Sequence, residues 1–163
     1  MTPLYSRSKV NTRAFGRAPK NQGKNLTIVG AIGLDGVRAM MAYEGGTTRD
    51  AFARFVREAL APALHAGDVV VMDNLSAHHS VGVREAIEAV GAKVIYLPPY
   101  SPQLNPIEMT WSKLKAALRR TEARTLRTLA AALPRIRDTI TQDDIGGWYA
   151  KAGYCNQLVP GAL

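Results

Sequence analysis

The chain of 163 residues reads as an α/β domain, a mixed sheet flanked by helices. Three observations predict it. Two apolar, partly β-branched runs, "NLTIVGAIGL" and "VRAMMAYE", are joined through Asp35-Gly36, a dipeptide suited to a tight hairpin turn. Two short unbroken apolar runs, "DVVVMDN" and "KVIYL", bracket a helical pattern, which implies a parallel crossover. Helical periodicity then fills the last third of the chain, with no internal repeat and no second core.

Taken in order, residues 1–24 mix Ser, Asn, Gly, Pro and basic residues without periodicity and read as a basic arm or loop. The domain is expected over 25–155, with 156–163 a tail. In "TTRDAFARFVREALAPAL", Phe52, Phe55, Val56 and Leu60 share one helical face behind a Thr and Asp start, and Pro62 ends or kinks the helix. "DVVVMDN" predicts a strand buried on both faces. A helix over "HHSVGVREAIEAV" stops at Gly91, and "KVIYL" resumes as a strand of the same buried kind. Beyond a proline-rich loop, a helix runs from Pro106 to Arg120 with Ile107, Trp111, Leu114 and Leu118 as its apolar stripe. Two more helices follow, around "TLRTLAAALPRIRDTI" and "TQDDIGGWYAKAG", where Thr141 with Asp143 and Asp144 suits an N-terminus. Trp111 and Trp148 are expected in the core.

Charge points to a polyanionic partner. There are 21 Lys and Arg against 13 Asp and Glu, a formal net charge of +8 and a pI near 9.9. The first 24 residues hold Arg7, Lys9, Arg13, Arg17, Lys20 and Lys24 with no acid, and a second basic run holds Lys113, Lys115, Arg119, Arg120, Arg124 and Arg127 against Glu122. A solvated basic face and a phosphate-binding face are both compatible with that pattern. The single cysteine, Cys155, excludes an internal disulfide and a cysteine-built metal site, which fits the cytosol. No stretch has the apolar length of a membrane span or the core of a signal peptide.

Two carboxylates stand out. Asp73 in "VVVMDNLSAHH" lies just past the carboxyl end of a buried strand, where open α/β sheets place ligands; it also suits an ordinary turn. In "NPIE", Asn105 at N-cap, Pro106 at N1 and Glu108 at N3 come close to a capping box, which needs no chemistry. Between Asp73 and Glu108 lie 34 residues, holding a helix, a strand and a loop stiffened by Pro98, Pro99 and Pro102. Such a loop can bring both acids to one sheet edge. Two acids meeting there would need cations between them, as a pair of Mg²⁺ or Mn²⁺ ions about 3.5 to 4 Å apart provides in phosphodiester cleavage.

"VVVMDNLSAHHS", "VIYLPPYSPQLNPIEMTWSKLK" and the spacing between their acids resemble the catalytic domain of mariner-like insertion-sequence transposases, in the DDE superfamily of endonucleases. "RAPKNQGKNLTIVGAIGLDG" and "GWYAKAGY" resemble the same family, so the likeness covers most of the chain. It implies a ribonuclease H-like fold, two Mg²⁺ or Mn²⁺ ions, and Asp73 and Glu108 as the second and third acids of an Asp-Asp-Glu triad. It further implies cleavage and strand transfer on double-stranded DNA, at element ends and target, by a homodimer in the bacterial cytosol at the nucleoid.

By the same resemblance the first aspartate lies on an opening strand for which no residue here is a match, so the sheet is expected to lack its first strand. Asp35 sits in a hairpin turn and Asp50 in a first helical turn. The missing part would come from an upstream-frame polypeptide, or the chain is a partial product that cleaves little by itself. The alternatives are a catalytically inactive DNA-binding remnant and a product that does not fold stably. Around the two acids, Asn74, His78 and Asn105 are supporting candidates. His78 and His79 suit proton transfer or DNA contact, although two histidines opening a helix are more often surface residues, and with His65 distant the histidines make no zinc set. Ser112 and Lys115 share the Glu108 face, and Lys115, Arg119, Arg120, Lys20 and Lys24 are the candidate DNA contacts.

Overall fold

The structure, a computed structural model, describes residues 7–13, 15, 25–121 and 125–154. Lys20, Lys24, Cys155 and the tail lie outside the described residues. Strand β1 (Leu26–Gly33) pairs antiparallel with β2 (Gly36–Glu44), and β3 (Val69–Met72) pairs parallel with β4 (Lys93–Tyr96). The hairpin turn is Leu34-Asp35 rather than Asp35-Gly36. Gly36 opens β2 opposite Gly33 at φ 140°, a conformation that a Cβ would oppose.

Hairpin and parallel pair form two separate ladders, with no backbone pairing between them among the described residues. The Arg38 side chain shows how they sit. It passes so closely over Gly33 that a methyl group there would lie 2.9 Å from Nε, and its Nη1 reaches the Ala63 carbonyl at 3.2 Å and Asp68, just before β3, at 3.9 Å. The turn end of the hairpin thus lies close to the start of β3. Among the described residues β1 has no ladder partner other than β2, and β3 none other than β4.

One helical segment spans the break. Helix α1 (Arg49–Phe55) is capped by Thr48, whose Oγ1 accepts from Ala51 N at 3.2 Å. It continues as a π turn, Val56–Leu60, and a 3₁₀ turn, Ala61–Ala63. Pro62 is the cause, since its ring has no N–H and crowds the carbonyl four residues back. Phe52, Phe55, Val56 and Leu60 pack against Val29, Ala31, Ala39 and Met41 of the hairpin and against Val70, Met72 and Val94 of the parallel pair, all in one cluster. Helix α2 (Val83–Glu88) covers the same layer through Val83 and Ile87, and it is shorter than the sequence pattern because turns occupy the residues after Asn74.

The opposite face of the hairpin carries Leu26, Ile28, Met40 and Ala42 under helices α3 (Ile107–Thr121) and α4 (Leu126–Arg137). Trp111 belongs to that cluster, half-buried above Gly30, and Trp148 is half-buried on helix α5 (Gln142–Lys151). The parallel strands are covered on one face only. Val69 and Ile95 are 51% and 53% exposed, so burial on both faces does not hold. Their sheet is too narrow to be sandwiched, because α3 and α4 sit over the hairpin.

Helix α5 is tied to α3 by the Lys113–Asp144 ion pair, and Thr141 and Asp144 close a capping box. The Lys113 ammonium, then the Thr141 amide and hydroxyl, lower the Asp144 carboxyl from 3.8 to about 2. A depressed carboxylate stabilises the fold above its unfolded value and loses that contribution as pH falls toward 2. Asp144→Asn is therefore expected to cost on the order of 1 kcal/mol at pH 7, solvent screening included, and almost nothing near pH 2. Melting temperatures of both proteins across that range check it; a constant difference would refute the linkage. Among the described residues no helix is long and apolar enough to cross a membrane.

Candidate active site

The β3–β4 ladder fixes the site's floor. Met72 lies opposite Tyr96, and Leu97 N donates to Met72 O at 2.8 Å, so Asp73 and the proline-rich loop leave the same sheet edge. Asp73, half-buried, accepts from Leu75 N through Oδ1 at 3.3 Å, the turn geometry its sequence suits. His78 Nδ1 lies 2.6 Å from the same Oδ1 and 3.1 Å from the Asp73 carbonyl. Both are acceptors, so Nδ1 carries the hydrogen and orients the carboxylate. The His78 ring in turn rests on Phe52, with centroids 4.2 Å apart, and its carbonyl accepts from the Tyr96 hydroxyl at 3.2 Å. Asn74 turns away from Asp73 and meets His79. His79 stacks on Tyr96 at 4.1 Å, with Arg84 5.4 Å from that ring.

Glu108 arrives by way of the loop. A 3₁₀ turn, Pro102–Leu104, follows Pro98 and Pro99, and the Tyr154 hydroxyl pins the Leu104 carbonyl at 3.0 Å. Asn105 caps α3 in part, accepting from Ile107 N at 3.4 Å. The reciprocal half of a capping box is absent, because Asn105 N already donates to Pro102 O at 3.0 Å. Glu108 is left exposed in the first turn of α3 with no partner among the described residues. A carboxylate that its helix does not use is available to a ligand.

Below it, Thr110, Leu114 and Leu118 face the core, while Ser112 and Lys115 are exposed like Glu108. Arg119 is half-buried and Arg120 exposed, and none of Lys115, Arg119 and Arg120 has an ion-pair partner among the described residues. Asp35 is engaged by Arg38 at 2.6 Å, at the hairpin end that meets the start of β3, away from Asp73. Asp50 is exposed in the first turn of α1. His65 lies near Asp68 and Arg38. Among the described residues no three His, Cys, Asp or Glu side chains stand where they would hold a metal ion. Spacing alone does not single out Tyr96, Phe52 or Tyr154; the parallel register opposite Met72 is the one signal that would have found Tyr96.

No curated protein sequence matches the chain. Three crystallographic complexes share its fold. The Mos1 strand transfer complex superposes with a TM-score of 0.65 at 16% identity, over 91% of this chain and 45% of that one. The Mos1 transposase paired-end complex with left transposon end gives 0.65 at 18%, over 91% and 46%. The Mos1 mariner paired-end complex with Mn gives 0.66 at 17%, again over 91% and 46%. The chain spans less than half the length of those proteins, and the shared fold is the ribonuclease H-like arrangement of mixed strands between helices. The model of the DDE superfamily endonucleases matches residues 2–130, from ahead of the hairpin through the Asp73 and Glu108 segments into α4, and the chain belongs to that family.

Proposed function

We propose that the chain is the core of a transposase catalytic domain, cutting and rejoining DNA strands at the ends of an insertion sequence with divalent-metal help. The observation that supports this is the way the two acids are presented: Asp73 just past the carboxyl end of β3, oriented by His78, and Glu108 exposed in the first turn of α3 and unused by its own helix. Carboxylate oxygens suit Mg²⁺ or Mn²⁺ in kind. In number they fall short, since no group of three ligands stands together among the described residues. Bound ions would supply charge stabilisation and an activated attacking oxygen. The chain's own part is to present Asp73 and Glu108, hold Asp73 through His78, and bind the phosphate backbone with Lys115, Arg119 and Arg120, joined by Lys20 and Lys24 from the basic arm.

The lack of a ladder joining the hairpin to the parallel pair among the described residues supports a completing strand between them, contributed by an upstream-frame polypeptide. A strand parallel to β3 would end at the edge where Asp73 stands. An aspartate there would supply the third acid. Assembly as a homodimer on DNA, at the bacterial nucleoid, belongs to the same reading.

Paramagnetic broadening by Mn²⁺ tests the pairing of the acids. Low Mn²⁺ should broaden amide signals after Asp73 and around Glu108 together, and Asp73→Asn or Glu108→Gln should abolish both effects. Broadening of one segment without the other would refute a shared site. A second reading, an inactive DNA-binding remnant, draws on the incomplete ligand set. It requires salt-sensitive DNA affinity with no metal-dependent nicking even after the third acid is supplied.

A further inference from the structure

We propose that Tyr100 is a stacking platform for an unpaired nucleobase at the reaction centre, an inference that rests on the DNA-cutting function above. Tyr100 is fully exposed, at 102%, and its backbone sits at φ 56°. The left-handed region strains any residue with a Cβ, and the other described non-glycine residue there, Asn11, is of a type that tolerates it. A tyrosine in this state packs on nothing in the fold, and glycine would make the same turn without strain. Such strain persists only where the surroundings impose it.

The surroundings here are built to do so. Pro98 and Pro99 precede the residue, Pro102 follows, the Ser101 hydroxyl donates to the Pro99 carbonyl at 3.3 Å, and Tyr154 anchors the far end of the loop at Leu104. The loop leaves the sheet at the edge where Asp73 stands and leads into Glu108. It therefore holds a flat ring in solvent on the segment that runs from the Asp73 edge of the sheet to the helix bearing Glu108. A phenol ring stacks on any base regardless of sequence, and loses little freedom in doing so. Bases inside a duplex already stack on each other, so only a splayed or unpaired base offers its face.

The test uses the full chain and two DNA probes, a paired duplex and the same duplex with one unpaired 2-aminopurine. Wild type is expected to quench the 2-aminopurine and to prefer the bulged probe. Tyr100→Ala should lose the quenching and about tenfold in affinity for the bulged probe, with paired-duplex affinity unchanged, and Tyr100→Phe should retain both. Tyr100→Gly should lose the preference while its melting temperature rises, since glycine relieves the strain. Retained quenching in Tyr100→Ala, or a lower melting temperature in Tyr100→Gly, would overturn the proposal. If wild type binds both probes equally, the role of Tyr100 falls and DNA binding stands; if it binds neither, both fall.

Discussion

Mg²⁺- or Mn²⁺-dependent nicking is expected when the chain is joined to, or mixed with, a strand-forming segment ending in an aspartate, and Asp73→Asn or Glu108→Gln should lower that rate by about a thousandfold or more. The size follows from the ligand count. Mg²⁺ keeps most of its waters and relies on very few protein carboxylates, so removing one of three acids strips a large share of its hold. The chain alone should nick DNA slowly or not at all. His78→Ala should fall between, because it orients Asp73 from 2.6 Å without being a carboxylate, and indirect metal partners typically contribute about 10- to 100-fold. A supplied strand must restore two properties at once, cleavage and protection of the β1 and β3 edge amides from hydrogen exchange. Nicking that survives Glu108→Gln would end the assignment, and edge protection without nicking would favour the DNA-binding remnant.

Phe55→Ala is the second large effect, an expected loss of about 3–5 kcal/mol by urea denaturation. Phe55 is 1% exposed and belongs to a helical segment that shares one core cluster with both ladders. In a sheet with continuous hydrogen bonding, a cavity under one helix leaves the strands tied to each other. Among the described residues no ladder joins the hairpin to the parallel pair, so the apolar face of α1 and its π turn, with the Arg38 contacts, holds the halves together. With total stability of a domain at about 5–15 kcal/mol, the variant should be largely unfolded or unfold in two steps. Val81→Ala, at 93% exposure, is the control and should change little. A single transition with a loss under about 1 kcal/mol would show that another contact joins the halves. Adding the completing strand should rescue Phe55→Ala, since ladder hydrogen bonds would then bridge the break.

Much of this molecule is legible in its residue order. The hairpin, the two apolar strands and the helix behind "NPIE" all appear, because alternation, apolar runs and 3.6-residue stripes are local properties. Thr48, Thr125 and Thr141 cap α1, α4 and α5 for the same local reason. Boundaries moved where a local signal met a competing one. Pro62 turned a helix end into π and 3₁₀ turns, and the segment from Leu75 to Gly82 became turns around the Asp73–His78 contact.

The site divides along the same line. Sequence by itself determined which acids stand at a strand end and a helix start, how far apart they are, and that the surface is basic. Tertiary structure decided how each polar group is used. It gave the Asn105 amide to Pro102 and so freed Glu108, set Asn74 against His79, and placed Asp35 on Arg38. It also left Val69 and Ile95 open and, among the described residues, the hairpin and the parallel pair without a shared ladder. The reason is physical: periodicity states which side of an element is apolar, whereas hydrogen-bond partners and sheet neighbours come from residues distant along the chain, and only their placement in space settles which pairs form.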